Sequence, residues 1–274
     1  MDDIAARLGK IAIIGGGKMG EAIVAGLVNG AMFDPNSVIV AEPGEARREY
    51  LSTTYGIVCV ADAARITHPT TALLALKPQI LREVCEPLAA VPTFDPVRVI
   101  SIAAGVTTST LRAIFNRDTN AIIRVMPNAP LMVGAGMSAV CVAPDTSRVE
   151  GELVRELFSL MGDAVLLDEA LMNAATAIFG SGPAYFALFV EELAKAGEQV
   201  GLNPEDSLLF ATQTLRGTAR YLELLEASPA ELRQAVTSPG GTTQAALEEF
   251  AAQGFSETVA QAVEAALRRA EELA

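Results

Sequence analysis

Histidine occurs once in the 274 residues, cysteine three times, and positive charge is outnumbered: 33 acidic side chains against 20 Lys and Arg leave a formal net charge of −13. Such a surface repels phosphate backbones, and no cluster of Lys and Arg relieves it, which argues against nucleic acid as a partner. Cys59, Cys85 and Cys141 are odd in number, far apart and set in apolar runs. That pattern fits neither a disulfide framework nor metal-ligand spacing, so the expectation is reduced core thiols in a cytoplasmic protein without a metal. The amino terminus, Met1-Asp2-Asp3-Ile4, carries acids where an export signal requires basic residues ahead of an apolar run. One uncharged stretch, Ala170 to Val190, has about the length of a membrane span. Gly180-Ser181-Gly182-Pro183 cuts it, and Asn173 and Thr176 interrupt its first piece. Two buried helices meeting at a turn are expected there, and no membrane contact.

What remains is apolar side chain, 51% of the residues against 19% charged, enough for a large core or a large interface. Single cores stop growing near roughly 250 residues, so two domains are expected. Over residues 1–168 short β-branched runs alternate with helical patterns, the form of βαβ units on a parallel sheet. Strands are expected at Lys10–Ile14, Ser37–Ala41, Ile57–Val60, Thr71–Leu76, Val97–Ser101, Asn120–Val125, Met137–Ala143 and Ala164–Leu167. Several are apolar throughout, as strands covered on both faces must be. Residues 169–274 read as helix only. Pro183 opens a helix that runs to about Val200 and is closed by Gly201; Asn203-Pro204 and Ser228-Pro229 are N-cap and first-turn pairs; a tail helix begins near Ser256. The fold class is therefore α/β, a Rossmann-like dinucleotide-binding domain followed by an all-α domain for substrate binding and dimerisation.

Gly15-Gly16-Gly17-Lys18-Met19-Gly20 follows the first strand and leads into a helical run. In that context G-x-G-x-x-G binds a dinucleotide: Gly15 permits the turn, Gly17 leaves room for the pyrophosphate, and Gly20 lets helix pack on strand. Glu42, at the end of the second strand, is placed to accept hydrogen bonds from ribose hydroxyls and favours NADH, whereas Arg47 and Arg48 offer a 2′-phosphate a partner or form a solvated helix face. Both NADPH and NADH stay open.

Further motifs end the later strands: Leu74-Ala75-Leu76-Lys77-Pro78-Gln79, Ser101-Ile102-Ala103-Ala104-Gly105-Val106 and Arg124-Val125-Met126-Pro127-Asn128-Ala129-Pro130. The helical half adds Gly180-Ser181-Gly182-Pro183-Ala184-Tyr185 and Val236-Thr237-Ser238-Pro239-Gly240-Gly241-Thr242-Thr243. In these motifs and their order the chain resembles the pyrroline-5-carboxylate reductases over nearly its whole length. The resemblance implies reduction of 1-pyrroline-5-carboxylate to L-proline by NADPH or NADH, the last step of proline biosynthesis. Transferred by position, it implies dinucleotide contacts at Ile14 to Met19, at Ala75, Leu76, Lys77 and Pro78, and at Ile102, Ala103 and Ala104. Glu226, Thr242 and Thr243 become substrate contacts, and Ser238 shapes their loop. It also implies homodimers through interleaved C-terminal helices, often assembled into decamers. Three positions depart from the family: Asp62 and Ala235 stand where an Asn is usual, and Gln244 replaces an apolar residue.

The chemistry suits a chain with a single His, because a protonated imine is already electrophilic and the reaction asks mainly for a held hydride donor and a held carboxylate. His68 falls before the fourth strand, away from the ligand crevice. The loop through Gly240 and Gly241 precedes a helix, so its N–H groups can hold the substrate carboxylate while the Thr243 hydroxyl reaches the ring nitrogen; a bare Thr N-cap is the structural alternative. Two rival functions make different demands on the sequence. A β-hydroxyacid-dehydrogenase-like reductase needs a Lys and an Asn where this chain has Phe186 and Phe189. A non-catalytic dinucleotide-binding regulator needs no ordered substrate loop.

Overall fold

The structure is a computed structural model that describes residues 4–29, 33–115 and 120–273; Met1–Asp3, on which the expectation of no export signal rests, lie outside them. The chain divides into two compact units, one of the residues up to Gly180 together with those from Leu267 onward, the other Ser181–Ala266.

The first unit is built on eight strands, β1 (Ile11–Ile14), β2 (Val38–Ala41), β3 (Val58–Val60), β4 (Thr71–Leu74), β5 (Arg98–Ser101), β6 (Ala121–Pro127), β7 (Gly136–Val142) and β8 (Gly162–Leu166). All eight expected strands are present, with ends shifted by one or two residues. They form one sheet in the order β3-β2-β1-β4-β5-β6-β7-β8, parallel except for the β6–β7 pair. Its helices are α1 (Ile4–Leu8), α2 (Lys18–Asn29), α3 (Glu45–Tyr55), α4 (Pro78–Ala89), α5 (Thr108–Ile114), α6 (Arg148–Ser159) and α7 (Met172–Ala175).

Side chains alternate across a strand, so a fully apolar strand feeds two cores. In β1, Ile11 and Ile13 join a core with Ile23 and Leu27 of α2 and Leu157 of α6. Ala12 and Ile14 join another on the opposite face with Leu81 and Cys85 of α4 and Leu111 of α5. Each fully buried Ile or Leu contributes about 1.5–3 kcal/mol.

The thiols partly follow expectation: all three are free, Cys85 and Cys141 are buried, and Cys59 is only half-buried. Burial pushes the Cys85 thiol up to about 12 and the Cys141 thiol to about 11, which suppresses their reactivity.

The second unit contains α8 (Gly182–Gln199), α9 (Pro204–Leu224), α10 (Pro229–Ala235), α11 (Thr242–Ala252) and most of α12 (Phe255–Glu272). The expected starts are present in detail. Asn203 accepts from the Asp206 N–H at 2.9 Å, and Ser228 and Glu231 form a reciprocal capping box ahead of α10. Phe250 packs between Phe189 and Phe255, with ring centroids 6.4 and 5.4 Å away.

The Ala170–Val190 stretch departs from expectation. It forms α7, a π-helical turn at Thr176–Gly180 and the start of α8, and within one chain Ile178 is 59% exposed, Phe186 61% and Leu188 56%. Among the described residues no helix is long and apolar enough to cross a membrane. Apolar side chains this exposed call for a protein partner.

Candidate active site

The strand order reverses at β1, which pairs with β2 on one side and β4 on the other, register Ile14↔Ala41 and Ile14↔Leu74. Loops leaving the carboxyl ends of β1 and β4 therefore run to opposite sides, and the gap between them is where open α/β sheets receive a ligand. Hydrogen bonds extend the register past the strands: Gly15 N–H donates to the Ala41 carbonyl and Ala75 N–H to the Ile14 carbonyl, both at 2.9 Å.

The glycine turn occupies this gap, and each glycine has its own reason. Gly15 has φ +109°, a backbone conformation L side chains rarely adopt. A Cβ on Gly20 would strike the Gly15 carbonyl oxygen, so only glycine lets α2 start this close to β1. A Cβ on Gly17 would meet no protein atom within 4 Å apart from its own chain neighbours. Nothing in the protein's own packing requires glycine there; the space beside it opens to a ligand. The N–H groups of Gly17, Lys18 and Met19 have no partner among the described residues, as expected at the positive end of a helix. The residues present fit a pyrophosphate.

Glu42 lies beside this turn, and both its oxygens are engaged: Oε2 accepts from Gly16 N–H at 3.0 Å and Oε1 from Gly44 N–H at 2.9 Å. Its carboxylate is thereby aimed, with lone pairs to spare for hydroxyls. Neither arginine is a solvated helix face. Arg48 donates to the Glu42 and Pro43 carbonyls at 2.9 and 2.7 Å. Arg47 donates through Nε to the Gly16 carbonyl at 2.6 Å and pairs with Glu21 at 2.5 Å. Burial alone raises the Glu21 carboxyl, but hydrogen bonds from Arg47, Tyr50 and Tyr55 outweigh it and hold it below the usual carboxylate range. Burial and the bond to Glu21 push the Tyr55 phenol up to about 12.

A cleft of about 790 Å³ gathers Ile14, Gly15 and Gly17 with Glu42 and with Ala75, Leu76 and Lys77. Pro78 begins α4 beside them with Lys77 at its N-cap, whereas Ile102 and Ala103 are buried beyond β5 and do not line the cleft. Sequence reasoning missed the cleft's apolar wall of Ile80, Val84, Leu88 and Val91. These four belong to α4 or follow it, and the helical periodicity of the run was the available signal. Asp62 also lines the cleft, and its Oδ1 accepts from Ala64 N–H at 2.9 Å, a cap that an Asn oxygen would supply equally.

In the second unit, the Ser238–Gly241 turn leads directly into α11. Gly241 is the N-cap, with no side-chain capping bond, so Thr242 and Thr243 are the first two helical residues and neither hydroxyl caps the helix. The N-cap alternative for Thr243 is thereby removed. Gly240, at φ +69°, donates its N–H to Gln244 Oε1 at 2.8 Å, and Gly241 N–H donates to the Ser238 carbonyl at 3.0 Å. These two N–H groups are thus engaged inside the loop. Those of Thr242, Thr243 and Gln244 have no partner among the described residues. Thr242 is exposed and Thr243 half-buried. Glu226, between α9 and α10, is exposed and holds φ +49° without being glycine, a strained conformation of the kind that concentrates at functional positions. His68, in the loop before β4, is exposed and bonded to Asp95 at 3.0 Å, at the end of the sheet opposite the glycine turn. Among the described residues no cluster of His, Cys, Asp and Glu could hold a metal ion.

Comparison with known proteins adds an independent line. Residues 169–273 match the family profile described as pyrroline-5-carboxylate reductase dimerisation, and residues 10–105 match one described as NADP oxidoreductase, coenzyme F420-dependent. The chain is 41% identical to the pyrroline-5-carboxylate reductase of Synechocystis over 96% of its own length and 98% of that protein's. It is 38% identical to the enzyme of Pseudomonas aeruginosa, covering 97% of each. Among solved structures, a pyrroline-5-carboxylate reductase from Coxiella burnetii superposes with a TM-score of 0.90 at 33% identity, covering 97% of this chain and 99% of that one. One from Plasmodium falciparum with NADP bound gives 0.83 at 28%, covering 97% and 98%.

Proposed function

The chain belongs to the pyrroline-5-carboxylate reductase family, and from that premise we infer how its own residues carry out the reduction of 1-pyrroline-5-carboxylate to L-proline with NADPH or NADH. A reduced dinucleotide held in the cleft would supply a hydride to the imine carbon, and the proton carried by the ring nitrogen of the protonated imine would complete the amine. The N–H groups of Gly17, Lys18 and Met19 hold its pyrophosphate, Glu42 faces the adenosine ribose, and the backbone of Ala75 to Pro78 borders the remainder. The Ile102 to Ala104 segment, with Ile102 and Ala103 buried outside the cleft lining, is assigned a cofactor contact by family resemblance alone.

The observation that carries the substrate reading is the start of α11. It presents unpartnered N–H groups at Thr242 and Thr243 beside two hydroxyls, with no ionisable side chain between Ser238 and Thr243. A helix start with open N–H groups holds a carboxylate, and a neighbouring hydroxyl can bond the ring nitrogen without consuming a proton. Ser238, Gly240 and Gly241 shape the turn, and Glu226 contacts the substrate from the α9–α10 connection. This arrangement needs no protein acid if the imine binds protonated, in keeping with the exposed position of His68.

The chain carries a dimerisation domain. We extend this to a homodimer, the unit from which decamers of the family are assembled, supported by the exposed Phe186, Leu209 and Phe210 of the second unit. Residence in the cytoplasm belongs to the same reading and is supported by three free thiols.

Mixing purified protein with NADPH or NADH and the imine tests the function. Nicotinamide absorbance should fall as proline accumulates in equal amount. Dinucleotide binding without turnover would support a regulator instead.

A further inference from the structure

Arg47 sits in the first turn of α3, 31 residues from Gly16, yet its guanidinium lies against the glycine turn. Nε donates to the Gly16 carbonyl at 2.6 Å, and Nη2 reaches the Gly17 carbonyl at 3.4 Å and Glu21 Oε2 at 2.5 Å. The guanidinium stacks over the Tyr50 ring, 5.1 Å from its centroid. The other Glu21 oxygen accepts from the Tyr50 and Tyr55 hydroxyls at 2.9 and 3.0 Å. Arg47 and Glu21 retain only 30% and 16% of their side-chain exposure. The guanidinium is held from several sides, a geometry suited to orienting whatever it touches.

What it touches is the back of the pyrophosphate turn. A trans peptide is planar with its C=O and the following N–H pointing in opposite directions. Fixing the Gly16 carbonyl, as Arg47 Nε does, sets the Gly17 N–H; the Gly17 carbonyl, which sets the Lys18 N–H, is held chiefly by the Glu21 N–H at 2.9 Å, with Arg47 Nη2 a longer second contact. These are the donors, unpartnered in the chain itself, that the cofactor reading assigns to the pyrophosphate. A flexible triple-glycine segment has the most conformational freedom to lose on ordering, and it has an external clamp here.

We propose that Arg47, held by Glu21, is a positioning residue for the pyrophosphate turn and not a ligand of the 2′-phosphate. The proposal rests on the dinucleotide reading of this turn. It carries a distinctive consequence: the pyrophosphate is common to NADH and NADPH, so both depend on Arg47 to the same extent. A residue that bonds the 2′-phosphate would matter to NADPH alone.

The test is titration of nicotinamide fluorescence with NADH and with NADPH for the full-length wild type, Arg47→Met, Arg47→Lys and Glu21→Gln, with imine KM at saturating cofactor and Tm alongside. Arg47→Met should raise the Kd of both dinucleotides about tenfold, the loss of one charge-assisted hydrogen bond. Their ratio should not move, and imine KM should stay at the wild-type value. Arg47→Lys, which can still reach one carbonyl, should recover part of the loss. Glu21→Gln should show a smaller change of the same kind and supplies the answer if Arg47→Met does not fold. A loss confined to NADPH in either variant, or unchanged affinity for both dinucleotides in folded Arg47→Met, overturns the proposal. Wild-type protein that binds neither dinucleotide removes the cofactor reading itself, an outcome distinct from these.

Discussion

Gly17→Ala separates a glycine required by a ligand from one required by the fold. A methyl at position 17 meets no protein atom within 4 Å beyond its chain neighbours, so packing neither opposes nor rewards it. As the residue just before α2 it loses about 0.5–1 kcal/mol because Ala is a poor N-cap, and regains about 0.4–1 kcal/mol because the unfolded chain is less free. Stability should stay near wild type. The methyl instead fills the space in front of the open Gly17 and Lys18 N–H groups. Blocking two charge-assisted hydrogen bonds of about 1.5–3 kcal/mol each should weaken NAD(P)H binding by roughly 3 kcal/mol or more, about a hundredfold in Kd. Gly20→Ala should behave in the opposite way. Its Cβ collides with the Gly15 carbonyl oxygen, part of the backbone, and overpacking of this kind costs about 1–3 kcal/mol. The helix propensity of Ala returns only about 0.5–1 kcal/mol. At about 2–4 °C per kcal/mol, Tm should fall measurably. Fluorescence titration with thermal melting reads both effects. Wild-type Kd in a folded Gly17→Ala protein would refute the placement of the pyrophosphate at this turn.

Three further outcomes are expected. Glu42→Ser should move the kcat/KM ratio toward NADPH by about tenfold, since it removes roughly 1–2 kcal/mol of repulsion between the carboxylate and a 2′-phosphate at a partly exposed site; an unmoved ratio would show that the acid points elsewhere. Thr243→Ala should lose about one to two decades in kcat/KM for the imine, the value of one hydrogen bond at roughly 1–3 kcal/mol. Dinucleotide Kd and Tm should barely change because Gly241 is the N-cap, and Thr243→Ser should recover most of the loss; normal kcat/KM in the alanine variant would make Thr243 structural. Sedimentation at micromolar concentration should give a dimer or a larger assembly, because Phe186, Leu209 and Phe210 are each more than half exposed in a single chain; a stable monomer refutes the interface, and the size found separates dimer from decamer.

The sequence determined what depends on neighbours along the chain. Residues 11–14 are apolar at every position, which is why β1 could be read as a strand covered on both faces. Asn203-Pro204 and Ser228-Pro229 each carry their own cap, so the starts of α9 and α10 could be placed to the residue. Gly15 to Gly20 and Ser238 to Thr243 were legible because a backbone that must turn sharply at a helix start restricts the residues allowed there. Tertiary structure decided the partners. That β1 sits between β2 and β4, and that β6 and β7 run antiparallel, depends on pairings which strand composition leaves open. Those pairings bring Glu42 onto Gly16 N–H across 26 residues and Arg47 onto the Gly16 carbonyl across 31, so the acid read as a ribose ligand also braces the glycine turn, and the arginine offered to a 2′-phosphate braces it instead. Over shorter range, Gln244 looked like a lost apolar contact, yet it takes the Gly240 N–H because the first turn of α11 folds its side chain back over the loop. Periodicity and propensity describe a chain's local geometry; hydrogen bonds between side chain and distant backbone are assigned only when the sheet has set which loops meet.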